Sequence, residues 1–204
     1  MDIQRINTYD DPRFSRTALY QHGCFLGDGK PYEVEIVSEW EAVIRGADPA
    51  AYREIAEEFR FYAPHITTFR DEAGNIAAEY PRARLLTLRL EQIQPSQFYV
   101  DETKIAAVGT FIRKPEDIVI QVLPHGEGYI SLDGHTRLYY AVMRGWEQVR
   151  AAEESSADWA NAFAAEAQKR GIHTPKDMML VSHAEYEEKW NRFCDDFFAG
   201  NKVE

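Results

Sequence analysis

The chain has 204 residues, with 23 basic and 34 acidic side chains and a formal net charge of −11. At about 150 residues per domain, this length fits one generous domain or a core domain with an appended subdomain. Apolar residues make up 45% and charged residues 28%, as in ordinary globular proteins, and 12 glycines and 9 prolines are too few for a collagenous or low-complexity chain. The negative balance argues against a broad grip on duplex nucleic acid, which rests on attraction to phosphate. A ligand carrying phosphate would need a focused cationic spot or a metal ion.

No apolar run approaches the roughly 18 to 20 residues that span a bilayer. The opening Met1-Asp2-Ile3-Gln4-Arg5-Ile6 lacks the charged-then-apolar pattern of a signal peptide. Cys24 and Cys194 are far apart and share no metal-ligand spacing. The expectation is two reduced thiols in a soluble, cytoplasmic protein without a membrane partner. The histidines at 22, 65, 125, 135, 173 and 183 show no His-x-x-x-His spacing, so no protein-held metal is expected.

In chain order, Tyr32, Val34 and Ile36 alternate with Glu33 and Glu35, the period of a strand with one wet face. Paired with Leu19 to Leu26 across Gly27–Pro31, it predicts a hairpin. Asp48 before Pro49 reads as a helix N-cap, with Tyr52, Ile55, Ala56 and Phe59 on one face and Pro64 as the stop. A second hairpin runs from Ile66–Phe69 to Ile76–Tyr80. Leu86, Leu88 and Leu90 alternate as a strand, and Asp101 caps a short helix burying Ile105 and Val108. Ile118–Leu123 is apolar enough for a buried strand. The loop His125–Gly128 leads to a strand at Tyr129–Leu132, then to a helix ending at Gly145. A strand at Gln148–Ala152 and two helices complete the chain. Ser155 with Asp158 opens the first helix, and the capping-box pair Ser182 and Glu185 opens the second. The second presents Tyr186, Trp190, Phe193, Cys194 and Phe197 at core spacing. The mixed order predicts an α+β fold, with a boundary near Pro81 dividing residues 1–81 from 82–204.

One stretch stands apart. Between Ile130 and Leu138 a strand ends, Asp133-Gly134-His135-Thr136-Arg137 turns the chain, and a helix begins at once. The first amides of a helix lack intrahelical partners and sit at its positive end, so a glycine there suits the approach of a phosphate. Arg137 would add a charge-assisted contact. Asp133 and His135 are candidates for metal ligation or proton transfer. The same residues also fit a plain helix start: Asp133 as cap, Asp133 and Arg137 as a stabilising pair four apart, His135 solvated.

Asp133-Gly-His-Thr-Arg137, followed by Leu138-Tyr-Tyr-Ala141 and Gly145-Trp146, resembles the signature of the ParB/sulfiredoxin superfamily. Leu88–Pro95 and Val100–Ile105 are similar to its opening strand and first helix, so the resemblance covers roughly residues 85–150. It implies a ParB/sulfiredoxin-like mixed sheet with helices over 82–204, preceded by an N-terminal hairpin-and-helix extension of no assigned role. ParB proteins carry Gly-Glu-Arg-Arg and sulfiredoxins Gly-Cys-His-Arg, in which His135 would replace the catalytic cysteine. The turn is closest to the Asp-Gly-His-His-Arg of free serine kinases, with Thr136 in place of the second histidine. The resemblance implies nucleotide phosphates on Gly134, Thr136 and Arg137, and catalysis by Asp133 and His135. The kinases' glutamate base from the first helix has Glu102 as its nearest counterpart, with Asp101 an equal candidate. The implied function is an amino-acid hydroxyl kinase using Mg2+ with ATP or ADP and a small-molecule acceptor. A non-enzymatic nucleotide- or anion-sensing module is the alternative, and a DNA-binding ParB relative is disfavoured by the charge.

Overall fold

The chain divides into two compact units, Met1–Leu85 and Leu86–Glu204, and the computed structural model describes residues 1–200. It is a mixed α+β protein.

The first unit comprises β1 (Ile3–Arg5), α1 (Arg16–Tyr20), β2 (Cys24–Gly27), β3 (Lys30–Ile36), β4 (Glu41–Gly46), α2 (Tyr52–Tyr62), β5 (Thr68–Arg70) and β6 (Ile76–Glu79). The six strands form one sheet in sequential order. Only β4 and β5 pair in parallel, which requires a crossover, and α2 supplies it. Asp48 accepts from the Ala50 amide with Pro49 at the first position, so the helix entry forms as its sequence predicts. Tyr52, Ile55, Ala56 and Phe59 pack on Phe25, Val34, Ile44 and Phe69 of the sheet. Alternation along β2 sends Cys24 to the opposite face, where it packs with Phe14, Ala18 and Leu19. The expected hairpin turns at Asp28 (φ 47°) and Gly29 (φ 78°), the left-handed pair of a two-residue loop. Two expectations need correction. Leu19 and Tyr20 are helical, because Ser15 caps α1 by accepting from the Ala18 amide. The two expected hairpins are also parts of one six-stranded sheet, since β1 and β4 join them.

The second unit comprises β7 (Leu85–Arg89), β8 (Ile93–Pro95), β9 (Tyr99–Asp101), α3 (Glu102–Phe111), β10 (Val119–His125), β11 (Gly128–Ser131), α4 (His135–Met143), β12 (Gln148–Glu153), α5 (Ala160–Lys169), β13 (Met179–Val181), α6 (His183–Tyr186) and α7 (Arg192–Gly200). A π-helical turn over Glu187–Asn191 joins the last two helices. The main sheet has the order β7-β12-β10-β11-β8. β10 runs parallel to β12 and antiparallel to β11, and β11 runs parallel to β8. β9 and β13 form a separate parallel pair.

Ile93, Ile120, Val122, Val149 and Ala151 from the strands meet Val108, Leu138, Ala141 and Phe163 from the helices in one buried core. The aromatic face of the C-terminal helix belongs to that core: the Trp190 ring lies 4.9 Å from Phe98 and 5.9 Å from Phe163. Gly145 (φ 68°) ends α4, with its amide donating to Val142 O and the Trp146 amide to Ala141 O, the two bonds of a Schellman cap. Ser155 and Asp158 do not open α5. Its N-cap is Trp159, without a side-chain bond. His125 is the last residue of β10, paired with Gly128, rather than a loop residue. The six residue steps from Val119 to His125 put it about 20 Å along the strand from the Asp133 end.

Candidate functional site

The Asp133 turn is built where β11 runs out. The Leu132 amide still donates to Gln121 O, 2.8 Å, holding the chain on β10 for one more residue. Gly134 then takes φ 82° and ψ 19° as the N-cap of α4. A Cβ at this position would lie 2.6 Å from Ile120 Cγ2 and 3.0 Å from Arg137 Nη2. Backbone conformation and space therefore both demand glycine. The Leu138 amide donates to Gly134 O, 2.9 Å, closing the first turn. No side chain caps this helix start, so its leading amides remain a positive, hydrogen-bonding end.

Arg137 turns back on the turn itself. Its Nη2 donates to Asp133 Oδ2 at 2.9 Å, and its Nη1 donates to the Val119 carbonyl of β10. The arginine side chain is 19% exposed and the aspartate 46%. The pair four residues apart is thus real, and the arginine also lashes the turn to the sheet. Asp133 is the more open of the two. Thr136, in the first helical turn, is half-buried.

His135 faces the other way. It is buried, with Nε2 hydrogen-bonded to Ser131 Oγ at 3.0 Å and Ser96 Oγ at 3.2 Å, while Ser96 Oγ donates to Ser131 O at 2.6 Å. Burial pushes its pKa down to about 4, against the opposing pull of Asp133. It is a neutral interior histidine that ties α4 to the ends of β8 and β11, and it is not the solvated residue of the bland sequence reading. Among the described residues no three His, Cys, Asp or Glu side chains gather to hold a metal ion.

The start of α3 presents a different arrangement. Glu102 is exposed in its first turn. Asp101 is fully buried and is the cap: its Oδ1 accepts from the Thr103 amide at 2.9 Å and from Thr103 Oγ1 at 2.7 Å. Its Oδ2 lies 2.7 Å from His183 Nδ1. Burial pushes this carboxyl up, but the bonds from His183 and Thr103 together hold it below the usual carboxylate range. Asp101 in turn raises His183, first through the hydrogen bond and then through its charge. The His183 side chain is 59% exposed, and its Nε2 makes no hydrogen bond among the described residues.

Tyr186 links the two places. Its hydroxyl accepts from Gln97 Nε2 at 3.4 Å, one residue beyond the Ser96 that holds His135. Burial raises its pKa, with smaller contributions from Cys194 and Asp101. The sequence-derived candidates therefore divide three ways. Asp133, Gly134, Thr136 and Arg137 share one turn, His135 lies beneath it, and Glu102 stands at the start of α3. His183 was not singled out, because its partner is 82 residues away and its local sequence shows only a helix cap.

No protein-family model matches this chain, and no curated protein sequence matches it. Among solved structures it is similar to protein Atu1540 from Agrobacterium tumefaciens, at 14% identity and a TM-score of 0.34 over 47% of this chain. The match spans 61% of the Atu1540 chain, and a likeness this loose carries no argument about fold or function.

Proposed function

We propose that the turn from Asp133 to Arg137 binds the phosphates of a nucleotide within a ParB/sulfiredoxin-like second unit, and that the protein transfers a phosphoryl group to a small hydroxyl compound. The observation that carries this reading is the uncapped start of α4, a nine-residue helix behind a left-handed glycine with a half-exposed aspartate at its side. Amides there are oriented before any ligand arrives, which lowers the cost of ordering a phosphate. Arg137 holds the turn against β10 and keeps that orientation fixed. Asp133 is the group placed to orient the acceptor hydroxyl. Magnesium would arrive with the nucleotide phosphates as part of the substrate, the usual way Mg2+ is held.

The test is thermal unfolding with Mg2+ and ATP, ADP or CTP, on the wild type and on Thr136→Glu. A carboxylate in the first turn favours the helix but repels phosphate, so the variant separates binding from folding. A ligand at 100 times its dissociation constant stabilises by about 2.7 kcal/mol, about 5–10 °C for a chain this size. The expected result is a shift with one nucleotide that is lost in Thr136→Glu. No shift with any nucleotide would overturn the proposal. A second reading, a nucleotide-sensing module without transfer, is favoured by one observation: the buried, neutral His135 is withdrawn from any chemistry. Binding without transfer to any hydroxyl acceptor would select it.

A further inference from the structure

Beyond the phosphate turn, the second unit holds a pair of residues with the geometry of a proton acceptor. Asp101 is wholly buried, and its two oxygens are divided between tasks: Oδ1 caps α3, and Oδ2 takes His183 Nδ1 at 2.7 Å. A carboxylate bound at Nδ1 fixes the proton on that nitrogen and leaves Nε2 as the free lone pair. The imidazole is 59% exposed, so the ring is open to solvent. A buried carboxylate would be costly without partners, and here His183 and Thr103 supply them. The charged groups acting on His183 besides Asp101 are Glu187, four residues further along the chain, and Lys104 from the first turn of α3. Lys104 Nζ lies 4.3 Å from the centre of the Tyr186 ring. Tyr186 also accepts from Gln97, whose chain neighbour Ser96 bonds His135 beneath the turn, so a run of contacts connects the pair with the phosphate turn.

We infer that His183, positioned by Asp101, is the general base that deprotonates the acceptor hydroxyl, in place of Glu102. The inference rests on the kinase reading above. In the step, the hydroxyl oxygen bonds to the terminal phosphorus of the nucleotide. The bond from that phosphorus to the bridging oxygen breaks, and its electron pair leaves on the nucleotide. The hydroxyl proton passes to Nε2 and from there to solvent.

The experiment uses the full chain with Mg2+ and the nucleotide that gives the thermal shift, with L-serine as the hydroxyl probe and phosphorus NMR as the readout. Four proteins are compared: wild type, His183→Gln, Asp101→Asn and Glu102→Gln. His183→Gln is expected to lower kcat by about 100-fold or more, the usual share of a general base, with the nucleotide-induced thermal shift retained. Asn caps helices as well as Asp does, so Asp101→Asn keeps the α3 start while removing the charge. In that variant the rate, which rises with pH as His183 loses its proton, is expected to turn at a lower pH than in the wild type. A structural role for Asp101 would not move that inflection. Transfer by the wild type, with His183→Gln within threefold of it, would overturn the assignment and leave the kinase reading standing. Loss in Glu102→Gln alone would give the role to Glu102. No transfer by the wild type would end the kinase reading and the assignment with it.

Discussion

Replacing Gly134 by alanine tests whether the turn is held as tightly as its geometry implies. Two separate penalties apply. A left-handed conformation costs an L-residue about 1–2 kcal/mol, and Gly134 sits at φ 82°. The new methyl would also lie 2.6 Å from Ile120 Cγ2, a fully buried side chain with no room to retreat. Overpacking of this kind costs about 1–3 kcal/mol. The Arg137 guanidinium, 3.0 Å away, is itself tied to Val119 and Asp133. The expected loss is therefore about 2–5 kcal/mol in total. Gly145→Ala is the matched control, since its φ of 68° carries the conformational penalty but nothing lies within 4 Å of an added Cβ; its cost is about 1–2 kcal/mol. Urea unfolding followed by tryptophan fluorescence reports mainly on the second unit, which holds Trp146, Trp159 and Trp190. The difference between the two variants isolates the contact with Ile120. If Gly134→Ala costs no more than Gly145→Ala, the account of a rigid turn packed on β10 is wrong.

Three further outcomes follow from the same geometry. Arg137→Met keeps the stem but removes the donor to the Val119 carbonyl, whose residue is 2% exposed; the expected loss is about 1–3 kcal/mol by urea titration, and a neutral result would show that the arginine is no strut. His135 has its folded-state pKa depressed to about 4, so the unfolded chain binds the extra proton between that value and about 6.5. Stability should be full above pH 6.5 and fall by roughly 3 kcal/mol toward pH 4, and the fall should shrink in His135→Gln. His183 has the opposite sign: its pKa is raised by Asp101, so its contribution is full below about pH 6.5 and lost as pH climbs past the raised value. The gap in urea midpoint between wild type and His183→Gln should be open at pH 5.5 and closed at pH 9, and a gap that widened with pH would contradict the pairing.

What could be read from the sequence was local, and what could not was remote. Asp48 before Pro49, Asp101 before Glu102, Ser182 with Glu185 and Gly145 after Arg144 each act within one helical turn, and each takes the structural role its residue type favours. The same holds for the pair of Asp133 and Arg137, four residues apart. Leu19 and Tyr20 misled because apolar content alone was read there, while the cap at Ser15 decides for helix. β4 carries a signal in its sequence, since Ala42 and Ile44 alternate as buried residues between Glu41 and Gly46. β13 carried almost none: Met179 and Leu180 are exposed, and only pairing with β9 makes the segment a strand.

The remote contacts also change what each histidine can do. The two residues have the same intrinsic chemistry and opposite environments. His135 stands in a sequence that looks reactive, yet Ser96, 39 residues earlier, helps close it into the interior and keep it neutral. His183 stands in an ordinary helix start, yet the buried carboxylate of Asp101 fixes one nitrogen of a ring that is 59% exposed. A proton acceptor must be open to its substrate and tuned by a neighbour; of the two, His183 is the exposed one and is paired with a carboxylate. The environment of each histidine therefore follows from remote contacts: the ends of β8 and β11 enclose His135, and Asp101 at the end of β9 holds His183. If the phosphate turn and a proton acceptor do work together, the chain has drawn the acceptor from a helix that closes the fold and not from the turn itself.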